Sequence, residues 1–408
     1  SAWFVLGSQD DIRFEAAKRG WLTTYPEFNQ NFTRVENKLL DFTANVDLFP
    51  DLKIDLVANR AYAENYSEQY RVDMSLDQPY QSESPYTTGN FSISTVLIKT
   101  AFMKSDESGS EAFDNFRENR LTIANRLAER RYGTTAFPTD ADGFPVGFGK
   151  NNQAVLLPAF ISAYTGSSAS GVSTGIFRDI PIPNWTIKYN GLMRYKFFKD
   201  RFKRFSLQHN YKASYTVNSF RSNFEYDQNP NGTDTGGNFY NKIIVANANL
   251  VEQFSPLIRV DFEMKNSFKF LAEMKKDRSM SMSFDNNLLT EVQGQEYVLG
   301  LGYRIKDVII SSQLADNPTG IIRSDIDIKA DISYRNNKTI VRYLDYDNNQ
   351  LGGGQNIWSA RLTAQYAFSK NLTAIFYYDH QFSKAVISTS FPMTNIRTGF
   401  TLRYNFGN

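Results

Sequence analysis

The chain contains no cysteine among its 408 residues. Disulfides, thiolate metal sites and cysteine nucleophiles are excluded, and the redox compartment cannot be read from thiol usage. Two histidines leave little material for metal or acid–base chemistry. Neither sign of charge dominates: 45 basic and 43 acidic residues give a net +2, so nothing calls for a polyanionic partner. No apolar run approaches the roughly 20 residues of a spanning helix. The longest, Ala154–Tyr164, contains Pro158. That lack does not exclude a membrane, because only every second residue of a spanning strand meets lipid.

What is present is a two-residue beat of apolar and polar side chains. Trp358, Ala360, Leu362, Ala364, Tyr366 and Phe368 form one phase, against Ser359, Arg361, Thr363, Gln365 and Ala367. Ile326, Ile328, Ala330, Ile332 and Tyr334 alternate in the same way with Asp327, Lys329, Asp331 and Ser333. Successive strand side chains point to opposite faces, so each stretch has one oily and one wet side. About a dozen such stretches, rich in aromatics, predict an all-β fold: an antiparallel transmembrane β-barrel with a partly helical insert.

Four segments follow. Residues 1–37 precede the beat, with a short strand at Trp3–Leu6 and a helix from about Asp10 to Arg19 closed by Gly20. The opening Ser1-Ala2-Trp3, without methionine or signal peptide, reads as a mature form or an internal piece. Residues 38–104 carry barrel strands, the third around Phe91–Met103 after a polar loop near 75–86. Residues 105–183 break the rhythm: Ser108-x-x-Glu111 is a capping-box pattern, Phe113, Phe116, Ile123 and Leu127 have helical spacing, and Gly133 stops the helix. A second short helix is expected over Ala154–Tyr164. A connection of this length acts as a plug, a gate or a brace. Residues 184–408 return to strands, with tight turns expected at Lys265-Asn266-Ser267, Arg335-Asn336-Asn337-Lys338 and Ser369-Lys370-Asn371, and long loops at Tyr226–Tyr240 and Asp345–Asn356. Counted back from Phe406, the alternation of short and long connections fails before about residue 290. Either a strand near Ser255-Pro256 is misplaced or segment 105–183 crosses the barrel height.

Several strings carry a family likeness. Gly147-Phe-Gly-Lys-Asn-Asn152, Leu156-Leu-Pro-Ala-Phe160 and Arg178-Asp-Ile-Pro-Ile-Pro-Asn-Trp185 occur in order, followed by Phe254-Ser-Pro-Leu-Ile258 with Lys265-Asn266, and Tyr297-x-x-Gly-Leu-Gly-Tyr-Arg304. The chain resembles the C-terminal part of the SprA/Sov family, the very large outer-membrane translocon of the type 9 secretion system. The resemblance implies a Bacteroidota outer membrane and one giant barrel of which these strands form only a part. It also implies a pore that exports folded cargo proteins and serves gliding motility. The implied partners are the remainder of the same large barrel polypeptide, a PorV-like companion barrel, a plug protein, a periplasmic prolyl isomerase and membrane lipid.

Residues that could carry chemistry were weighed singly. His209 and His380 fall on the apolar phase of their strands, where a hydrogen-bonded structural role outweighs catalysis. Asp227-x-Asn229-x-Asn231-Gly232 echoes the start of a calcium loop, but Asn238 stands where a bidentate glutamate is needed, which favours a polar external loop. Gly147-Phe-Gly149-Lys150 lacks the remaining parts of a phosphate loop. The run from Lys196 to Phe205 places Lys196, Lys199, Arg201, Lys203 and Arg204 among phenylalanines. That pattern can grip single-stranded nucleic acid, but a turn at the membrane interface explains it at least as well, and nucleic acid is not an expected partner. Phe113, Phe116, Leu127 and Phe160 are candidates for a gate in the insert, with a structural brace as the alternative. Tyr404 and Phe406 end the last strand and resemble the C-terminal signal that hands barrels to their assembly machinery; an ordinary girdle aromatic is the alternative.

The sequence therefore predicts a protein-conducting channel in the bacterial outer membrane, with no cofactor, no metal and no catalysis. The rival readings are a smaller self-contained barrel for solute or ligand uptake with 105–183 as its plug, a hydrolase with a serine beside a histidine, and a β-rich adhesin whose apolar faces pack on each other.

Overall fold

The structure is a computed structural model that describes residues 11–311, 320–346, 348–369, 371–387 and 390–406. The expected strand at Trp3–Leu6 and the terminal Gly407-Asn408 lie outside the described residues.

The fold is all-β with a partly helical insert. Alternating sequence drives the formation of β1 (Phe32–Phe49), β2 (Leu52–Val72) and β3 (Tyr80–Ser94), with Pro50-Asp51 turning the first hairpin. Within the insert lie a small hairpin, β4 (Ser105–Asp106) and β5 (Gly109–Ser110), and two helices. Six long strands close the chain: β10 (Lys269–Ser283), β11 (Leu288–Ser311), β12 (Ile321–Tyr343), β13 (Asn349–Ala367), β14 (Leu372–Ala385) and β15 (Met393–Tyr404). Between insert and closing strands come β6 (Asn184–Tyr189), β7 (Phe202–Ser222), β8 (Ile243–Val245) and β9 (Asn247–Met264). All but the small hairpin join one 13-stranded sheet, in the order β1-β2-β3-β7-β9-β10-β11-β12-β13-β14-β15, with β6 beside β2 and β7 and β8 beside β7. Every pairing in it is antiparallel. Among the described residues the two end strands, β1 and β15, are each paired on one side only.

The insert is an excursion from the middle of one lane. β3 runs along the upper half of β2 and stops at Ser94, and β6 resumes the lane beside the lower half of β2, at Leu52–Val57. The gap is stitched where the Ile182 amide donates to the Ser94 carbonyl at 3.0 Å. Segment 105–183 therefore does not cross the sheet from rim to rim.

Strand direction sorts the connections onto two rims. One rim holds Pro50-Asp51, residues 190–201, 265–268 and the β13–β14 turn. The other holds residues 73–79, the insert side, 223–246, 284–287, the β12–β13 connection and the β14–β15 connection. β15 ends on the first rim.

Several expectations need correction. The turn predicted at Arg335-Asn336-Asn337-Lys338 does not exist: β12 passes straight through, with Asn336 opposite Gln295 on one side and Asn356 on the other. Flanking strands satisfy that backbone, so its turn-prone side chains cannot bend it. This misplaced turn broke the short–long alternation; β9 itself runs through Ser255-Pro256 with a bulge between Phe254 and Ile258. The third strand begins at Tyr80, not near Phe91, and Leu97–Met103 is a short 3₁₀ turn and loop. Strand β1 starts at Phe32, inside the segment expected to precede the beat. The first helix, α1, spans Arg13–Lys18. The insert helix α2 (Glu111–Tyr132) is capped by the Ser110 hydroxyl, which accepts from the Phe113 amide at 3.4 Å, and not by Ser108. It ends at Gly133, whose φ of +69° is the left-handed conformation glycine adopts without strain. The second insert helix, α3, spans Gln153–Thr165.

Candidate membrane face and the insert clamped to it

The register turns the sequence beat into two continuous surfaces. One row crosses eight paired strands: Leu207, Val260, Ala272, Leu299, Ile332, Ala360, His380 and Ile396 stand side by side from β7 to β15. Rows above and below are apolar too. Their upper border is Tyr297, Tyr334, Trp358 and Phe382; Phe205, Phe262, Tyr366 and Tyr404 lie toward the short-turn rim. From Tyr297 to Ile305 the band is nine residues long, the length a tilted strand needs to cross hydrocarbon. Tyr366 is buried, but Leu299 is 36% exposed, Trp358 51% and Phe400 78%. Half-exposing a Leu, Ile or Phe forfeits roughly 1 kcal/mol, so a dozen forfeit on the order of 10 kcal/mol, as much as the net stability of a domain. Such a face requires an apolar cover.

The opposite face is charged along the same rows. Asp331, Arg361, Asp379 and Arg397 are consecutive neighbours across β12–β15, and Arg361 Nε meets Asp379 Oδ1 at 2.7 Å. Arg259 bridges Asp261 and Glu273, each at 3.3 Å, and Lys275 joins Glu273 to Glu296 at 3.2 and 3.6 Å. Exposed pairs of this kind add little stability but keep the face hydrated.

Above the band the sheet changes character. One side stays polar, with Ser279, Ser281 and Ser283 on β10 and Ser214 and Thr216 on β7. The other side continues the apolar face and is covered by the insert. Phe91, Tyr215, Leu250 and Met280 of the sheet enter one core with Phe116, Phe160 and Tyr164 of the insert. The predicted gate residues lie here: Phe113, Phe116 and Phe160 are buried and Leu127 packs against the same core. Phe116 and Phe160 rings are 5.7 Å apart, joining α2 to α3. These aromatics fasten the insert to the sheet.

Two buried arginines complete the attachment, and sequence reasoning missed both. Arg278 on β10 binds Glu252 at 2.6 Å and donates to the carbonyls of Leu97 and Thr100 at 3.0 and 2.9 Å. Arg342 on β12 binds Glu291 at 3.2 Å and donates to the Ser105 hydroxyl and the Asp106 carbonyl, both at 2.9 Å. Its remaining nitrogen, Nη1, has no hydrogen-bond partner and the guanidinium lies 5.8 Å from the Phe113 ring. All four side chains are under 9% exposed. The signal that could have found them is a charge on the oily beat: Glu252 sits between Leu250 and Phe254, Arg342 between Ile340 and Leu344.

Outside the band, the Tyr164 phenol is pushed well above its ordinary pKa by burial and then by Glu291, so it stays a neutral hydroxyl. Asp106, held by the Ser108 hydroxyl and amide and by Lys104, is brought down to about 2. At the top of β2, Glu68 receives Arg13 of α1 and the hydroxyls of Tyr66, Tyr80 and Ser82. Burial alone would raise that carboxyl; the Ser82, Tyr66 and Tyr80 hydroxyls and Arg13 outweigh it and hold it below its ordinary 4.5.

The other sequence candidates are placed as follows. Lys196, Lys199 and Arg201 lie on α4 (Lys196–Arg201) at the short-turn rim, with Lys203 and Arg204 opening β7. Arg201 stacks 4.2 Å over Phe197, Lys203 meets Glu263 at 3.0 Å, and Arg204 meets Asp261 at 2.9 Å. Beside them Phe198, Phe202, Phe205 and Phe262 form an aromatic cluster with neighbouring centroids 5.0–5.6 Å apart. Tyr404 at the end of the edge strand and Phe406 two residues beyond it are exposed, rings 4.8 Å apart. His209 bonds the Leu257 carbonyl at 2.6 Å and His380 the Tyr378 hydroxyl at 3.2 Å. Among the described residues no group of three or more His, Asp or Glu could hold a metal. Asn231 of the calcium-like string instead accepts from Arg131 of the insert at 2.6 Å.

No family model matches the chain, and no curated protein does. Among solved structures it is similar to OmpT, an outer membrane protein of Vibrio cholerae, at 9% identity, covering 92% of this chain and 99% of that one with a TM-score of 0.23. That score is too low for the likeness to carry an argument.

Proposed function

We propose that the chain is a section of the wall of a large outer-membrane β-barrel, and that the barrel is a protein-conducting channel of the type 9 secretion kind. One observation carries the membrane reading: an uncovered apolar band with aromatic borders runs across the strands, backed by a charged face. Acyl chains supply the missing cover, and the charged face lines water. The tight turns at Pro50-Asp51, 265–268 and β13–β14 share one rim with the end of β15, as on the periplasmic side of such barrels, an orientation that would set the insert outside the cell.

The size of the pore follows from the edges. An open edge in hydrocarbon leaves N–H and C=O groups unsatisfied at several kcal/mol each. β1 and β15 are not paired with each other, so further strands close the wall and widen it. The SprA/Sov likeness supports the finer assignment to folded-protein export with a companion barrel, a plug protein, a prolyl isomerase and secreted cargo as partners. The uptake barrel with 105–183 as its plug is less well supported, because the insert covers the apolar side of the sheet and not the charged side.

Two experiments test the reading. The protein in its native cells should fractionate with the outer membrane and leave it only with detergent; free solubility in buffer would end the membrane reading. Purified intact material in planar bilayers should show a conductance far above that of a solute porin. A porin-sized conductance would favour the smaller barrel.

A further inference from the structure

We infer that the wall carries a binding site for a phospholipid of net negative charge, at the junction of the apolar band and the insert; the inference rests on the membrane reading above. Directly below the insert the band dips into a groove of about 550 Å³ lined by Met274, Tyr297, Leu299, Ile332, Tyr334 and Trp358. Directly above lies a polar cavity of about 220 Å³, lined by Lys276, Gln293, Gln295, Asn336, Lys338 and the insert residue Ser105. The two are continuous in register. Met274, Tyr297, Tyr334 and Trp358 form one row, and Lys276, Gln295, Asn336 and Asn356 form the next row on the same face.

The charges in the upper cavity do not balance. Arg278 is neutralised by Glu252, Arg342 by Glu291, and Asp277, which also lines the cavity, faces Arg335 at 3.9 Å. Lys276 lies 4.5 Å over the exposed Phe102 ring and Lys338 donates to the Ser105 carbonyl at 3.5 Å, but neither pairs with a carboxylate among the described residues. Two uncompensated ammonium groups and three side-chain amides thus cap an aromatic-lined groove open to the hydrocarbon. An amphiphile fits: its acyl chain lies in the groove and its phosphate meets Lys276 and Lys338 under the insert loop. The site sits at headgroup depth on the long-loop rim, so the occupant belongs to that leaflet. A neutral lipid would leave the lysines without a counter-charge, and a free phosphate would leave the groove empty.

The test uses the full protein purified in detergent, exchanged into phosphatidylcholine vesicles with or without phosphatidylglycerol, and read by native mass spectrometry after re-extraction. Wild type should retain phosphatidylglycerol. The double variant Lys276→Gln/Lys338→Gln should retain it roughly 25-fold less, since each lysine near a charged headgroup contributes about a factor of five. Lys276→Arg/Lys338→Arg should keep it, which separates lost charge from lost folding. Lys275→Gln, on the charged face, should have no effect. Equal retention by wild type and the glutamine variant would overturn the proposal. So would inorganic phosphate displacing the lipid completely at millimolar concentration, or retention of phosphatidylcholine as strong as that of phosphatidylglycerol. Failure of the wild type to enter either vesicle would instead count against the membrane reading.

Discussion

Arg278 and Arg342 hold opposite ends of one loop: the first binds the carbonyls of Leu97 and Thr100, the second Ser105 and the carbonyl of Asp106. Each has a buried glutamate as its counter-ion. Removing one partner of such a pair strands a charge in an apolar core, at about 3–5 kcal/mol, whereas replacing both by apolar groups costs far less. Glu291→Ala should therefore loosen the insert more than Glu291→Leu with Arg342→Met. Hydrogen exchange across α2 and α3 measures this; the same loss in both variants would show that packing, not the orphaned charge, dominates.

The band sets a second expectation. Leu301 stands in the middle of the apolar band, between Phe270 and Ala330, and Thr363 points to the charged face. Lysine at the bilayer midplane costs roughly 2–4 kcal/mol, and lysine on a wet face costs almost nothing. Leu301→Lys should lower the unfolding free energy of the vesicle-inserted protein, read by urea titration, by that amount, and Thr363→Lys should leave it unchanged. Reversed effects would mean that the two faces have been exchanged.

Tyr404 ends β15 in the apolar phase of Phe400 and Leu402, and Phe406 follows two residues beyond the strand. As an assembly signal, Phe406 should matter more than its area does. Phe406→Ala is expected to lower the folded, membrane-inserted fraction in cells more than Phe400→Ala. Matching losses would reduce both to ordinary girdle aromatics.

The Arg13–Glu68 contact gives the docking of α1 a pH dependence. The Glu68 carboxyl sits below its ordinary 4.5 in the folded state, so its contribution is complete above that value and is lost as pH falls through the lower folded value. Acidification through the lowered Glu68 value, beneath 4.5, should release α1 and raise proteolysis between residues 11 and 31, while Glu68→Gln should abolish that acid step. A release that persists unchanged in Glu68→Gln would assign the step to another group.

How far the sequence could be read depended on whether a feature is local. The phases at Trp358–Phe368 and Ile326–Tyr334 are local, and the register leaves them as the sequence predicts. The pair Asn336-Asn337 looks like a turn locally, yet the neighbouring strands supply its hydrogen bonds and it stays extended. Glu252, Arg278, Glu291 and Arg342 lie in phase with apolar neighbours, a visible anomaly, but their pairing joins adjacent strands and could not be seen along the chain.

The alternation alone determined that each strand has an oily and a wet side, because the side-chain period of two is a property of extended backbone. Only the tertiary structure decided which strands share those sides, that β3 and β6 form one interrupted lane, and that the insert covers the oily side. Those outcomes depend on contacts between residues far apart in sequence, such as Ser105 with Arg342, 237 positions away, and no periodicity encodes them.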